Sequence, residues 1–396
     1  MLFCPGNHVC DHSIRRNFKW RGKETIMFKR SLLWVLMVCL LIQGVFVPRA
    51  NAETAYDDVK GHWASEQIQF LTERGVYKGN GTRHFYPDKP ITRGEALALV
   101  NRVFEAVYGP LAAPEEKAYL DHRYPLRKEI EALTANLQVL LDVQTGFVNE
   151  YRPGDKILYY LHLASQGQLM KTPQKELVDW WVPAQYLQYP LSREEASMIL
   201  FHVLAPYKMR SMNVKPQDVA RFFAGYHGWK QPSGYPDTAS PYAGAIREFH
   251  LFSETRLFNP YKNMTRAEFA AVLKRLYDFY ADDAAKQFRE SQQRQQKAVN
   301  LLLTAANHAY RTKNGKWLDA YLSKPAQESI AKIALPLHDY RVALTLRKDD
   351  TDKNKLWVAA AYADPKVGNY ELEYLLEPDE GNPFGRKVTS IKFIQK

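Results

Sequence analysis

The chain has 396 residues, 46% of them hydrophobic, and a formal net charge of +11. That length exceeds one ordinary domain of ~100–200 residues, so two or three units are expected. Residues 1–52 account for +6 of the charge, with eight Lys/Arg against two Asp/Glu, which leaves +5 for the rest; this mild excess suits an acidic partner and does not call for nucleic acid. All 3 cysteines, Cys4, Cys10 and Cys39, lie in the same leading region, so the remainder has no disulfide framework, thiol nucleophile or Cys-ligated zinc site.

In chain order, the basic stretch Met27-Phe28-Lys29-Arg30 precedes an apolar run from Ser31 to Val47 and then Ala50-Asn51-Ala52. Basic start, apolar run and small-x-small site read as a secretory signal peptide. The run is at the short end of the ~17–25 residues that span a membrane, so cleavage is expected, with a secreted form starting at Glu53. Residues 1–52 are the signal region, and Met27 is a candidate true start. No lipobox-like Leu-Ala-Gly run precedes Cys39, which argues against a lipoprotein. No later segment is apolar enough to span a membrane, so no membrane partner is expected after cleavage.

The first unit, 53–108, opens with Asp57-Asp58-Val59 and Gly61-His62-Trp63-Ala64. Ala64, Ile68 and Leu71 then predict a helix that Gly75 stops. A turn-rich loop, Lys78-Gly79-Asn80-Gly81, and Phe85-Tyr86-Pro87 lead to Ile91-Thr92-Arg93-Gly94-Glu95. Thr92 and Glu95 have capping-box spacing: the hydroxyl takes a first-turn N–H and the carboxylate returns to the cap residue's N–H. The pattern recurs at Leu191-Ser192-Arg193-Glu194-Glu195 and Met264-Thr265-Arg266-Ala267-Glu268. Thr92, Glu95, Ser192, Glu195, Thr265 and Glu268 are therefore expected to be structural caps. A helical stripe follows each copy, as in Ala96, Val100, Val103, Phe104 and Val107.

The caps do not account for the arginine. Arg93, Arg193 and Arg266 each occupy a first helical position, where the helix dipole disfavours a cation by ~0.3–1 kcal/mol. One such Arg is readily neutralised by a nearby carboxylate; the same cation in three copies suggests an anion to be bound.

The middle of the chain, 109–206, keeps the pattern poorly. Tyr119-Leu120-Asp121-His122 could open a unit, and Tyr151-x-Pro153 echoes Phe85-x-Pro87, yet the intact cap comes only at Ser192. An insertion between about 144 and 189 is preferred to two broken units. Residues 207–283 combine an unassigned stretch, 208–229, with a last unit that ends on the third capped helix. From 284 the character changes again. Lys286 to Lys297 reads as an exposed helix or linker, Ala298–Tyr310 and Lys316–Ala334 as helices, and Tyr340–Leu346, Leu356–Ala363, Tyr370–Leu376 and Val388–Ile394 as strands. Residues 284–396 are thus expected to be a small, separately folding α+β domain with a four-stranded antiparallel sheet. The topology faintly resembles nuclear-transport-factor-two-like or cystatin-like folds, which implies no activity.

No nucleophile elbow, zincin motif or phosphate loop is present. His62 reads as a structural hydrogen-bonder beside Trp63, and Asp349, Asp350 and Asp352 read as a solvated turn without the spacing of a calcium loop. No metal, cofactor or catalytic residue is expected, and nothing fixes an oligomeric state.

Asp-Val-x-x-His-Trp-Ala, Ile-x-x-Leu-x-x-x-Gly, Phe-x-Pro and Ile-Thr-Arg-x-Glu, in that order in the first unit, resemble the S-layer homology module, with Gly94 where that family usually has Ala. The resemblance implies a fold of mainly α repeats in a pseudo-threefold bundle. It also implies anchoring at a bacterial cell surface through a secondary cell-wall polysaccharide, anionic and often pyruvylated. On that reading Arg93, Arg193 and Arg266, with Trp63 and Gly79, would be the polysaccharide-binding residues. Arginine suits a carboxylate through paired, charge-assisted hydrogen bonds, and several grooves would give avidity. The first groove is expected to bind best. The alternative is an enzyme anchored by the repeats, with its chemistry in 284–396.

Overall fold

The computed structural model describes residues 56–79, 81–146, 151–165, 182–211, 249–252, 259–333 and 338–396. The signal region, Trp180, Trp181, the stretch 212–248 and the loop at Ser253–Thr255 lie outside the described residues. After a 3-10 turn at Asp57–Val59 come α1 (Ser65–Glu73), α2 (Arg93–Tyr108), α3 (Arg127–Thr145), α4 (Pro153–Ser165), α5 (Ala184–Leu187), α6 (Arg193–Ser211) and α7 (Arg266–Gln287). Then follow α8 (Gln292–Arg311), α9 (Gly315–Tyr321), α10 (Lys324–Ala331), and strands β1 (Leu344–Lys348), β2 (Leu356–Asp364), β3 (Gly368–Pro378) and β4 (Arg386–Gln395). The described residues are about half helical, with one antiparallel four-stranded sheet; the ten helices and the sheet agree with the expected classes of element.

All three capping boxes form. The Glu95 amide donates to Thr92 Oγ1 (3.2 Å), that of Glu195 to Ser192 Oγ (3.2 Å) and that of Glu268 to Thr265 Oγ1 (3.1 Å). Each carboxylate returns to its cap amide at 3.0–3.1 Å. The residues just before the caps join α2, α6 and α7 in a closed ring: the Ile91 amide donates to Met264 (3.0 Å), Met264 to Leu191 (2.9 Å) and Leu191 to Ile91 (2.9 Å). The ring repeats one step inward, where the Arg93 amide reaches the Tyr189 carbonyl (3.1 Å), Arg193 reaches Lys262 (2.9 Å) and Arg266 reaches Lys89 (2.9 Å). Those Arg amides are donors that helix geometry leaves without intrahelical partners. At the opposite ends of the same helices, Tyr108, Tyr207 and Tyr280 meet in the core, with Tyr108 and Tyr207 hydroxyls 2.8 Å apart. Each element contributes one member to each ring.

In the middle unit Leu120 bridges Val182, whose amide donates to the Tyr119 carbonyl at 2.8 Å. The first unit closes the same way, the Asp57 amide reaching the Arg83 carbonyl at 2.8 Å. Helix α4 lies within the middle excursion and has no counterpart in the first unit. Tyr151-x-Pro153, which echoes Phe85-x-Pro87, opens α4 with proline at its first position, where the missing N–H costs nothing.

The expected boundary at 283/284 falls inside α7, which runs to Gln287, and α8 starts at Gln292. Helix α8 touches α2, α3 and α7 on one side and α9 and β1 on the other. Its Val299, Leu301, Leu302 and Leu303 are buried, and one apolar core continues from the first unit through α8 to the sheet. Residues 54–396 form a single compact unit. The helix expected over 316–334 is two, because Ser323 caps a new start (Ala326 amide to Ser323 Oγ, 3.3 Å) with Pro325 in its first turn. The strand expected from Tyr340 begins at Leu344; the others fall where alternation puts them, in the order β1-β2-β3-β4. Asp349 builds the β1–β2 turn by accepting from the Thr351 amide (2.9 Å) and Trp357 Nε1 (2.7 Å).

Candidate functional site

The arginines are not the unpaired cations that a row of helix-start charges suggests. Arg93 lies over the Tyr186 ring at 4.0 Å and makes bonds of 2.8–2.9 Å to Glu195 Oε1. Its side chain is only 12% exposed and that of Glu195 6%. Arg266 bonds Glu95 Oε1 at 3.0 Å and the Phe85 carbonyl at 2.9 Å, over the Phe85 ring. Arg193 lies over Phe252 and its charge acts on Glu268. Burial pushes the Glu268 carboxyl up, but the Lys262 hydrogen bond, the Thr265 amide and the charges of Lys262 and Arg193 bring it below its ordinary value. Each capping Glu thus has two roles. One oxygen closes its own helix; the other accepts from the arginine of a neighbouring capped segment in Glu95 and Glu195, and from Lys262 in Glu268, on which the Arg193 charge also acts. Arg and Glu two apart on one helix face different ways, so each Arg finds its carboxylate on a neighbour.

A cavity of about 300 Å³ opens where the first unit's loop meets α7. Its walls include Tyr56, Tyr77, Lys78, Gly79, Glu95, Arg102 and Arg266. Asp58 shapes the loop by accepting from the Phe85 and Tyr86 amides at 2.8 and 2.7 Å. Burial pushes the Asp58 carboxyl up, and those two amides outweigh it, so it sits below the usual carboxylate value. Gly79 has φ of +69°, a conformation that a side chain would strain. Arg102 pairs with Glu129 through two bonds of 2.7 Å, Lys78 stands 3.6 Å from the same carboxylate, and Arg266 faces Glu95. Each of these cations has a carboxylate near it, and Lys78, 61% exposed and sharing Glu129 with Arg102, is the most loosely held. The Tyr77 hydroxyl is buried there and has no hydrogen-bond partner among the described residues.

Of the expected binding residues, Gly79 and Arg266 meet in this cavity although they are far apart in sequence. Arg93 and Arg193 occupy the other two junctions of the ring. Trp63 does not line the cavity; it is 60% exposed beside His62, whose Nδ1 accepts from the Ala64 amide at 3.2 Å and whose Nε2 lies 3.5 Å from Asp88. Sequence reasoning passed over Tyr56, Tyr77, Lys78 and Arg102. The usable signal was that Thr-Arg-x-Glu cannot pair with itself, which requires a neighbour to supply the carboxylate and builds each groove from two units.

Gly94 also has its reason here. A Cβ at that position would lie 1.8 Å from the Tyr124 hydroxyl, so the middle unit's Tyr124 packs directly on the α2 backbone. Among the described residues no group of His, Cys, Asp and Glu could hold a metal, and no helix is long and apolar enough to cross a membrane.

The family model of the S-layer homology domain matches residues 55–97, the stretch that builds this cavity's loop and first capped helix start. The chain is 35% identical over 68 residues to S-layer protein sap of Bacillus anthracis, covering 17% of this chain and 8% of that protein. It is 39% identical over 61 residues to the cellulosome-anchoring protein of Acetivibrio thermocellus, covering 15% and 13%. An endoglucanase of a Bacillus species is 30% identical over 78 residues, covering 20% and 8%. The chain therefore spans a small part of each of these relatives. From the ordered elements of the first unit and the family match laid over them, the chain is a protein with an S-layer homology domain.

Proposed function

We propose that the chain is exported and held noncovalently at a bacterial cell surface by an anionic secondary cell-wall polysaccharide, with the three capped segments acting as S-layer homology repeats in a pseudo-threefold bundle. The carrying observation is the cationic cavity shared by Gly79, Lys78 and Arg266, in which the loosely held, exposed Lys78 ammonium and the Arg266 guanidinium line a space of about 300 Å³. A carboxylate-bearing sugar, such as a pyruvylated one, would give the exposed Lys78 ammonium and Arg266 a closer anion than the one Lys78 holds at 3.6 Å. Similarity to proteins named for the S-layer and for cellulosome anchoring supports the reading.

The role proposed is binding, with no catalytic step assigned to 284–396. Co-sedimentation of the full chain with native and polymer-stripped cell walls tests the first part: pelleting with native walls only is expected, and equal pelleting with both would overturn it. Release of soluble reducing ends from the same walls would overturn the second part.

A further inference from the structure

A second cavity, of about 900 Å³, is lined by residues 111–113, by α8 from Thr304 to Arg311, by the end of α10 and by residues 338–341. This is within the ~300–1,000 Å³ that small-molecule sites occupy. One wall is apolar, with Leu111, Val139, Ile330 and Ile333. The other is polar, with His308, Arg311 and Arg341. Arg341 faces Asp339 at 3.5 Å, whereas Arg311 makes no ion pair among the described residues. The cavity therefore carries one uncompensated guanidinium beside an aliphatic surface. His308 adds a ring with no hydrogen-bond partner among the described residues; burial first and the Arg311 charge second hold it below its ordinary value, so it stays neutral and free to donate or accept. The floor is hydrogen-bonded: His338 Nε2 donates to Asn300 Oδ1 at 2.6 Å, and Asn307 Nδ2 donates to the His338 carbonyl at 2.9 Å.

We propose that this cavity binds a small monocarboxylate with an apolar body, the carboxylate on Arg311 and the body against Leu111, Val139 and Ile330. One charge on the protein calls for one on the ligand. A dianion would leave a charge unpaired beside the aliphatic wall, and a neutral apolar molecule would leave Arg311 solvated but desolvate its surroundings without return. The site is independent of the wall-binding reading, since none of its residues lines the Gly79–Arg266 cavity.

The test is calorimetric titration of the full chain with octanoate, octanol, and an apolar tetrapeptide bearing either a free or an amidated C-terminus. The two acids separate a free aliphatic carboxylate from a peptide terminus as the source of the chemistry. At least one acid should bind saturably and at least about tenfold more tightly than its uncharged counterpart, the size of a charge-assisted hydrogen bond. Arg311→Gln, at an exposed position, should erase that preference, and Ala113→Trp, which fills the cavity mouth, should weaken every ligand. Equal affinity for acid and uncharged counterpart, an unchanged preference in Arg311→Gln, unchanged binding in Ala113→Trp, or no saturable binding of either acid would each overturn the proposal.

Discussion

Replacing Arg93 with alanine should destabilise the fold, although a cation at a helix start opposes the local dipole. The dipole term returns at most ~0.3–1 kcal/mol on removal of the charge. Against it stands Glu195, whose side chain is 6% exposed and which loses the bonds of 2.8–2.9 Å from Arg93. Removing one partner of a buried pair costs about 3–5 kcal/mol. Glu195 keeps its bonds from the Ser192 amide (3.0 Å) and the Tyr186 hydroxyl (2.7 Å), which lowers the cost. The net expectation is a loss of about 2–3 kcal/mol. Arg266→Ala should cost only about 1 kcal/mol, because that pair is 25% and 37% exposed. Urea unfolding of the full chain, with the slope held constant, measures both. Adding Glu195→Gln to Arg93→Ala should recover part of the loss, because the stranded charge is then gone. An Arg93→Ala variant within about 0.5 kcal/mol of the parent, the range of a surface substitution, would refute the cross-segment latch.

Gly94→Ala gains up to about 1 kcal/mol of helix propensity, but the Tyr124 ring must move, and overpacking costs about 1–3 kcal/mol; unfolding should show a net loss, and a gain would mean Tyr124 does not pack there. Burial holds His338 down to about 4 against an ordinary 6.5, so its contribution is complete above 6.5 and is lost as pH falls toward 4, where the unfolded state takes up the proton first. His338→Gln should flatten that part of a stability–pH curve; an unchanged slope would count against the buried neutral ring. Burial, then the charges of Arg210 and Arg294, holds Lys297 down to about 8 against 10.5. The unfolded state then binds more protons between those values, so stability should rise from pH 8 to 10.5 in the parent and stay flatter in Lys297→Met.

The local chemistry was legible wherever it depends on residues within a few positions. The three capping boxes, the α1 stop near Gly75 and strands β2 to β4 follow from spacing and alternation alone. What sequence did not show was what each feature meets across the fold. Arg93 and Glu195 stand 102 positions apart and Arg266 and Glu95 stand 171 apart, so the ring that neutralises the arginines leaves no local signal. Gly94 read as a slightly poor helix residue because its reason, Tyr124, comes from the next unit. The polar, Gln-rich stretch 286–297 read as an exposed helix or linker, and from 292 it is the first part of α8, continuous with the helix expected from Ala298; buried Val299 and Leu302 and the contacts of α8 with α2, α3, α7 and β1 make it a strut between the capped helices and the sheet. Composition reports solvent exposure and not which partners lie on either side of a helix, so the contacts of α8 left no signal in the sequence.

The central claim is that a groove built jointly by the first unit's loop and Arg266 holds an anionic wall glycan. It is tested most directly by titrating purified wall polysaccharide, intact and after mild acid removal of pyruvyl groups, against the parent, Lys78→Gln and Arg266→Gln. Lys78 is exposed and only 3.6 Å from Glu129, so its loss should leave unfolding within about 0.5 kcal/mol of the parent. The account predicts that both substitutions weaken binding of the intact polymer by about tenfold or more, and that removing the acidic groups lowers parent affinity to the same level. Parent affinity that is unchanged by either substitution and by loss of the acidic groups would contradict it.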